Sequence, residues 1–299
     1  MTSMPAIQAQ TNGSTRCPDP YIYRLRDLIY QMAGIFQPDN KLRSLEERCQ
    51  GRMLELGVKT LRDYFECLTI KPLRQAELVK LLNEITIGET CFFRNRPQLD
   101  ALHNLVLPQI IEGRSKMALR HLRFWSAGCS TGEEPYTLAM ILSDNAAGLL
   151  KGWTFEVLAT DLNERSLEHA ESAVYGDYSV RNVTPHLRQK YFVAQGDRLQ
   201  VNALIKAKVS FSRLNLVDHA RMNSIKNMDV IFCCNLLIYF DLVSKRQVVQ
   251  EFHNNLLPHG YLFLGHSESL YGVTDDFRLM HLPLATAYVK TNKSKPLDR

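Results

Sequence analysis

The sequence predicts an α/β fold: a doubly wound, mostly parallel sheet preceded by a small all-α domain. Between residues 20 and 87 the apolar residues recur at helical spacing, which indicates helices without strands. From residue 122 onward, short runs of strand-forming residues alternate with helical patterns, as in parallel sheets covered by helices on both faces. The range Leu122–Glu134 has the pattern of a strand, a glycine turn and a helix start. This pattern predicts a nucleotide-like ligand at the carboxyl edge of the sheet.

The composition is that of a globular protein with two domains. The chain has 299 residues, of which 45% are apolar and 22% are charged. No apolar run approaches the ~18 residues of a membrane span, and the first residues lack the pattern of a secretory signal. The seven cysteines form no CxxC pair, which favours reduced thiols in a cytoplasmic protein and predicts no metal site. The net charge of +5 lies largely in Arg114–Arg123 and after Lys290, so no nucleic-acid partner is expected.

Four helices are predicted between residues 20 and 87. The first ends at Gly34 and the second near Gly57, because glycine readily adopts the left-handed conformation that closes a helix. The other two cover residues 60–68 and 72–85. Their charged residues nearly balance in sign, which favours a solvated surface over a docking surface. The residues assigned to these polar faces are Lys41, Arg43, Arg48, Arg52, Lys59, Arg62, Asp39, Glu46, Glu47, Glu55, Asp63 and Glu66.

The junction Ile85–Arg96, ITIGETCFFRNR, is unlike an ordinary polar linker. Two adjacent phenylalanines stand beside Arg94 and Arg96. Either the junction is a loop anchored in the core with its arginines at the surface, or it caps a ligand site with Arg94 aimed inward. The predicted boundaries are a flexible N-terminal tail at 1–18, the all-α domain at 19–87, the junction at 88–97, the catalytic domain at 98–290 and a C-terminal tail at 291–299.

The second domain is predicted as alternating elements. Thr131 with Glu134, or Ser130 with Glu133, has capping-box spacing before the helix that follows the glycine turn. Residues 277–282 and 286–290 are predicted to form a closing antiparallel pair. The remaining strands are predicted at 153–160, 209–214, 229–234 and 261–265, and the helices at 98–112, 163–174, 185–192 and 242–257, with 175–183 irregular.

Polar residues follow three of these strands: Asp161, Asn215 and Asn235. The carboxyl ends of parallel strands line the ligand crevice, so we expect these side chains near one another. Asp161 is placed to bind two ribose hydroxyls, and its alternative role is to cap the next helix. Glu134 is placed either to bind an ammonium group or to hold the glycine turn. Asn235 is followed by the aromatic Tyr239, either at the site or in a packing cluster.

Two other ligand classes fit the glycine turn less well. GCSTG also matches the nucleophile elbow of α/β hydrolases, with Ser130 as nucleophile. In that fold several strands precede the elbow, whereas here only helices do. A dinucleotide dehydrogenase is not favoured, because the turn is G-x-x-x-G and not G-x-G-x-x-G.

Six stretches together resemble the bacterial chemotaxis-receptor glutamate O-methyltransferases, the CheR family: ITIGETCFFR, FWSAGCSTGEEPYTLAM, LATDLN, FSRLNL, DVIFCCNLLIYF and LPHGYLFLGHSESL. The resemblance spans roughly Gly34 to Lys290. It implies a helical domain joined to an S-adenosylmethionine-binding domain of the methyltransferase type. It also implies methyl transfer to receptor glutamates, giving methyl esters and S-adenosylhomocysteine.

The resemblance also implies site residues. Arg94 would lie near the reacting methyl and the substrate carboxylate, and Tyr239 near the methyl. The family usually has asparagine where this chain has Gly88, which implies one cofactor contact fewer. It usually has arginine where this chain has Cys234, a change that a backbone contact survives and a guanidinium contact does not. The implied cofactor-binding residues are Gly88, Thr90, Arg94, Glu134, Asp161, Asn215, Leu216, Cys234 and Asn235.

The implied partner is the cytoplasmic helical region of methyl-accepting chemotaxis receptors, with no direct membrane insertion. Some relatives bind a receptor's C-terminal pentapeptide through a glycine-rich loop. The corresponding region here, Ala194–Phe211, has one glycine, which does not favour that tether. Two alternatives stay open: methylation of a small molecule or RNA, and a module that binds cofactor or receptor without turnover.

Overall fold

The computed structural model describes residues 18–70, 72, 74–86, 88–115 and 119–291. The predicted tails at 1–18 and 291–299 lie outside these residues, except for Pro18 and Thr291. The described part of the chain follows the predicted order, with helices first and alternating strands and helices afterwards.

The four predicted N-terminal helices are confirmed. Asp19 caps the first by accepting a hydrogen bond from the Tyr21 N–H, and Thr60 caps the third in the same way. Gly34 and Gly57 close the first two helices with a φ of 68°, in the left-handed region that favours glycine. The helices are α1 (Pro20–Ala33), α2 (Leu42–Leu56), α3 (Leu61–Thr69) and α4 (Arg74–Ile85).

One of the charged residues assigned to the solvated faces, Arg52, is buried, contrary to the prediction. Arg52 on α2 is 2% exposed and forms two hydrogen bonds with the Glu77 carboxylate on α4, at 2.9 and 2.8 Å. The hydroxyl of Tyr64 donates to the same carboxylate at 3.0 Å. Helical spacing alone could not identify this residue, because its partner lies on a different helix. The pair joins α2, α3 and α4 from inside the domain.

The predicted parallel sheet is confirmed, and within the described residues it has seven strands in the order β6-β2-β1-β7-β8-β10-β9. The first five strands pair in parallel, while β10 pairs antiparallel with β8 and β9, as predicted for the closing pair. The strands of this sheet are β1 (His121–Ala127), β2 (Thr154–Asp161), β6 (Val209–Arg213), β7 (Met228–Cys233), β8 (Leu256–Leu264), β9 (Phe277–Leu282) and β10 (Ala285–Lys290).

A second, smaller sheet pairs antiparallel in the order β3-β5-β4. Part of it falls in the range 175–183 that we predicted to be irregular, because β3 has only two residues and carries no periodic pattern. Its strands are β3 (Val174–Tyr175), β4 (Phe192–Gln195) and β5 (Arg198–Val201).

Helices cover both faces of the main sheet. On one face, the helices that precede and follow β1 in the chain pack against the sheet together with the small sheet. On the other face, the short helix at 219–222 and the helix at 242–255 pack against it. A π-helical turn at Leu102–Val106 joins α5 to α6 inside the predicted helix 98–112. The helices are α5 (Arg96–Ala101), α6 (Leu107–Gly113), α7 (Glu133–Asp144), α8 (Glu164–Ser172), α9 (Pro185–Tyr191), α10 (Ala203–Lys206), α11 (His219–Met222) and α12 (Leu242–Asn255).

Two local predictions are wrong. No capping box forms before α7, whose N-cap is Gly132 at a φ of 94°, and Thr131 instead donates from its hydroxyl to Glu133. The glycine conformation sets this helix start, so no side chain is needed there. In addition, β8 begins at Leu256, within the range predicted as helix, because α12 ends at Asn255.

The helical domain packs on the carboxyl edge of the main sheet. The Asn215 side chain donates to the Met32 carbonyl oxygen at 2.6 Å, and the Phe36 N–H donates to the Tyr239 carbonyl oxygen at 2.8 Å. On the other side, the Asn163 side chain donates to the Asn83 carbonyl oxygen at 3.0 Å. These contacts place the helical domain beside the ligand edge of the sheet. Every described helix is too short or too polar to cross a lipid bilayer.

Candidate functional site

A cavity lies between the carboxyl edge of the sheet, the junction and the helical domain. Its lining includes every residue that the sequence analysis named as a site residue. The structure therefore brings together side chains from the junction, three strand ends and the glycine turn. These residues are Gly88, Thr90, Arg94, Glu134, Asp161, Asn215, Leu216, Cys234, Asn235 and Tyr239.

Asp161 holds the glycine turn from the end of β2. Its two carboxylate oxygens accept backbone N–H groups, one from Ser130 and one from Asn163, each at 2.8 Å. Burial raises the pKa of Asp161, and these backbone donors lower it in part. The side chain thus organises the turn and also lines the cavity. The alternative role, the cap of α8, belongs to Asn163, which accepts from the Ser166 N–H.

The glycine turn brings backbone close to the cavity wall. Gly128 has a φ of 79°, and a Cβ atom there would lie 2.6 Å from the Leu236 side chain. Ser130 also has a positive φ of 49°, and its buried hydroxyl makes no hydrogen bond within the described residues. Without a contacting base, Ser130 lacks the partner that a hydrolytic nucleophile needs, so the nucleophile-elbow reading receives no support.

Glu134 lies on the first turn of α7 and faces the cavity. The Ser126 hydroxyl donates to its carboxylate at 2.7 Å. Burial raises the pKa of Glu134, while the Ser126 hydroxyl, the Cys234 thiol and the Arg94 guanidinium lower it. A carboxylate in this position provides an acceptor for an ammonium group. Burial also raises the pKa of the Cys234 thiol well above its usual value, so this thiol is neutral at pH 7.

The junction combines the two roles that the sequence left open. Phe92 and Phe93 are buried and anchor it in the core, and the Phe92 N–H donates to the Ser179 carbonyl oxygen at 2.9 Å. Arg94 is exposed, yet it lines the cavity, and its guanidinium donates to the Glu89 carbonyl oxygen at 2.6 Å. The junction is therefore a core-anchored segment that carries one arginine to the cavity mouth.

Asn215 and Leu216 contribute in different ways. The amide of Asn215 is bonded to the helical domain, so its side chain ties α1 to the strand end. Leu216 is buried and presents an apolar wall to the cavity. Both residues line the cavity, where the family resemblance implies cofactor contacts.

Asn235 begins the loop that carries Tyr239. Asn235 has a φ of 60°, and its N–H donates to the Glu268 carboxylate at 2.7 Å. Tyr239 is half-buried at the cavity wall. We did not single out Glu268 from the sequence, because the contact links positions 33 residues apart. The unusual density of Gly, Ser and Glu after β8 was the only available signal.

Gln98 lines the cavity and was also missed by the sequence analysis. It is buried on α5, and its amide donates to the Leu264 carbonyl oxygen at 2.5 Å. The Cys234 thiol lies 3.8 Å from its amide oxygen. A lone glutamine after a proline carries no recognisable signal in one sequence.

The cavity suits an adenosyl sulfonium ligand in its donor set. Two carboxylates, Asp161 and Glu134, supply acceptors for hydroxyl and ammonium groups. The glycine turn at Gly128 also belongs to the lining, and apolar side chains such as Leu214 and Ile35 complete the wall. These features fit S-adenosylmethionine, the cofactor implied by the resemblance.

Comparison with known proteins gives the same family. A family model described as the CheR methyltransferase SAM-binding domain matches residues 88–286, and one described as the CheR methyltransferase all-alpha domain matches residues 22–86. Chemotaxis protein methyltransferase 2 of Vibrio cholerae is 35% identical over 273 residues, covering 91% of this chain and 93% of its own. The chemotaxis protein methyltransferase of Borreliella burgdorferi is 34% identical, with coverages of 83% and 88%. That of Escherichia coli is 33% identical, with coverages of 84% and 85%.

Proposed function

The chain belongs to the CheR family of methyltransferases, and from this premise we propose that it methylates glutamate side chains of chemotaxis-type receptors. The observation that carries the proposal is the meeting of Arg94, Glu134 and Asp161 around one cavity at the carboxyl edge of the sheet. Bound S-adenosylmethionine supplies an electrophilic methyl group, which the receptor carboxylate takes up as a methyl ester.

We assign the cofactor contacts by chemistry. Asp161 would bind the ribose hydroxyls, and Glu134 would bind the ammonium group. Thr90, Asn215, Leu216 and Asn235 would complete the binding surface. Gly88 and Cys234 would contribute through the backbone, since glycine has no side chain and the Cys234 thiol is uncharged.

The reaction needs no general base. A glutamate carboxylate is already ionised near pH 7, because its usual pKa is about 4.3. The work left to the protein is to align the nucleophile and to exclude water from it. The exposed Arg94 at the cavity mouth is placed to orient the incoming carboxylate by a charge-assisted pair. Tyr239, which also lines the cavity, would lie near the reacting methyl.

The partner would be the cytoplasmic helical region of a receptor, which places the enzyme in the cytoplasm. Esterification removes one negative charge from a receptor helix, which is a means of biasing a signalling equilibrium. An RNA substrate draws no support from the basic segment. Arg114 pairs with the buried Asp229 and Arg123 pairs with Glu156, so both guanidinium groups are already engaged.

The experiment is methyl transfer from tritiated S-adenosylmethionine to purified receptor cytoplasmic fragments. We expect label on the fragment that mild base releases as methanol, because methyl esters hydrolyse where N-methyl groups do not. The matched control is a fragment whose accepting glutamates are replaced by alanine. Base-stable label, or label on RNA in a parallel reaction, would contradict the proposal.

A further inference from the structure

One carboxylate outside the cavity lining gathers the loop that follows β7. Oε2 of Glu268 accepts the N–H of Asn235 and the N–H of Gly265, each at 2.7 Å. Oε1 of the same side chain accepts the N–H of Ile238 at 3.2 Å. Three backbone donors from two segments therefore converge on one side chain. We call this arrangement the Glu268 clasp.

The backbone around the clasp is shaped to admit it. A Cβ atom on Gly265 would lie 2.7 Å from Oε2 of Glu268 and 2.8 Å from the Asn235 nitrogen. A side chain at position 265 would therefore displace either the carboxylate or the loop. The Glu268 N–H also donates to the Gly265 carbonyl oxygen at 3.0 Å, which closes a tight turn behind the carboxylate.

The clasped loop carries two of the proposed site residues. Asn235 stands at the start with a φ of 60°, a backbone conformation that costs free energy unless neighbouring contacts hold it. Tyr239 stands at the end, where its carbonyl oxygen accepts the Phe36 N–H at 2.8 Å. Glu268 thus bonds the backbone of the loop at Asn235 and Ile238, and the helical domain bonds it at Tyr239.

We propose that Glu268 is a positioning residue that fixes the Asn235–Tyr239 loop in the geometry needed for cofactor binding and methyl transfer. The inference rests on the proposed function for the reaction, but the geometry of the clasp does not depend on it. A carboxylate is suited to the task because both of its oxygens accept hydrogen bonds. The amide of glutamine offers one oxygen and turns two donors toward the remaining N–H.

The clasp also places a negative charge near the cavity. The charge of Glu268 raises the pKa of Glu134 and of Cys234. Removing it therefore changes two things: the order of the loop and the electrostatic field in the cavity. S-adenosylmethionine carries one more positive charge, on its sulfur, than S-adenosylhomocysteine. A change in the field should therefore weaken S-adenosylmethionine binding more, whereas loss of loop order should weaken the binding of both alike.

The test compares Glu268→Gln with the unaltered full chain. We expect the affinity for S-adenosylhomocysteine, measured by calorimetry, to fall roughly tenfold, because at least one backbone N–H of the clasp loses its acceptor. We expect kcat at saturating cofactor to fall as well, whereas a purely structural defect would leave kcat per folded molecule unchanged. Gly265→Ala should reproduce both losses while keeping the carboxylate.

Glu251→Gln is the matched control, since Glu251 is a buried carboxylate on α12 that is bonded to His219 at 2.8 Å and lies outside the cavity lining. It should leave cofactor affinity and kcat unchanged. If Glu268→Gln binds S-adenosylhomocysteine and turns over like the unaltered chain, the clasp has no positioning role. If the unaltered chain binds the cofactor but methylates no receptor, the proposed function fails and the affinity comparison still tests the clasp.

Discussion

A Cβ atom on Gly88 would lie 2.2 Å from Oγ of Ser130, a distance that two such atoms cannot adopt. The junction therefore approaches the glycine turn so closely that a side chain at position 88 would require the Ser130 hydroxyl to move. The family resemblance implies asparagine at position 88, and an asparagine side chain could not occupy this arrangement without moving Ser130. In this chain the Ser130 hydroxyl thus occupies the space that a side chain at position 88 would need.

The contact predicts a non-additive pair of substitutions. Gly88→Ala should weaken S-adenosylhomocysteine binding by about tenfold, because overpacking of a close contact typically costs 1–3 kcal/mol. Ser130→Ala removes Oγ, leaving the nearest remaining atom, its Cβ, 3.4 Å from the new methyl group. The double variant should therefore bind better than Gly88→Ala alone. Calorimetry on the four proteins measures the coupling, and strictly additive losses would contradict it.

The sequence predicted the parts of this protein whose signals are local. The glycine turn, the polar residues at strand ends and the helix-closing Gly34 can each be recognised from a few neighbouring positions. The sheet, the four helices and the gathering of site residues at one edge follow from such signals. The parallel topology brings the carboxyl ends of β1 and β2 to the same edge, where the Ser130 N–H meets the Asp161 carboxylate.

What the sequence could not predict depends on contacts between distant segments. Arg52 was assigned to a solvated face because its partner Glu77 lies 25 positions away on another helix. Glu268 and Gln98 were missed for the same reason. The absent capping box before α7 is a different case, because the backbone conformation of Gly132 replaces a side-chain signal.

Asp161→Ala should abolish cofactor binding. The substitution removes the proposed acceptor for the ribose hydroxyls and leaves the Ser130 and Asn163 N–H groups without their partner. We expect the affinity for S-adenosylmethionine, measured by calorimetry, to fall at least a hundredfold, because the substitution removes several hydrogen bonds. Asp161→Asn keeps one oxygen and should retain part of the affinity. Unchanged affinity in the alanine variant would defeat the site assignment.

Arg94→Ala should reduce turnover far more than stability. The side chain is exposed, so the free energy of unfolding should change by less than about 0.5 kcal/mol. Loss of an orienting guanidinium should lower kcat/KM for the receptor fragment on the order of a hundredfold. Arg96→Ala is the matched control, because Arg96 is also exposed but pairs with Asp100 outside the cavity lining. Equal losses in both variants would remove Arg94 from its proposed role.

Glu77→Ala should destabilise the protein by about 3–5 kcal/mol, because it removes the buried counter-charge of Arg52 and the acceptor of the Tyr64 hydroxyl. Glu55→Ala removes the exposed partner of the same arginine and should cost less than about 1 kcal/mol. Urea unfolding followed by circular dichroism measures both. A Glu77→Ala protein as stable as Glu55→Ala would show that the buried pair contributes little.

Cofactor affinity should depend on pH through Glu134. Burial raises the pKa of this carboxyl above its ordinary value, so it takes up a proton at a higher pH than an exposed glutamate does. The protonated form cannot bind an ammonium group as an ion pair. The affinity for S-adenosylhomocysteine should therefore fall as pH is lowered through the raised pKa and stay level above it. Glu134→Gln should bind weakly throughout and lose most of this slope, with the remainder due to Asp161, whose pKa is also raised.

The stability of the ligand-free protein should respond to the same group with the opposite sign. Because the folded-state pKa of Glu134 is raised, the folded protein binds more protons than the unfolded chain between the ordinary value, 4.5, and the raised one. The contribution of Glu134 to stability is fully present below that window and is lost as pH rises through it. Urea unfolding of the unaltered chain and of Glu134→Gln across the window isolates this contribution. If ligand-free stability and cofactor affinity both rise with pH through Glu134, the carboxyl is not the buried acceptor that the site requires.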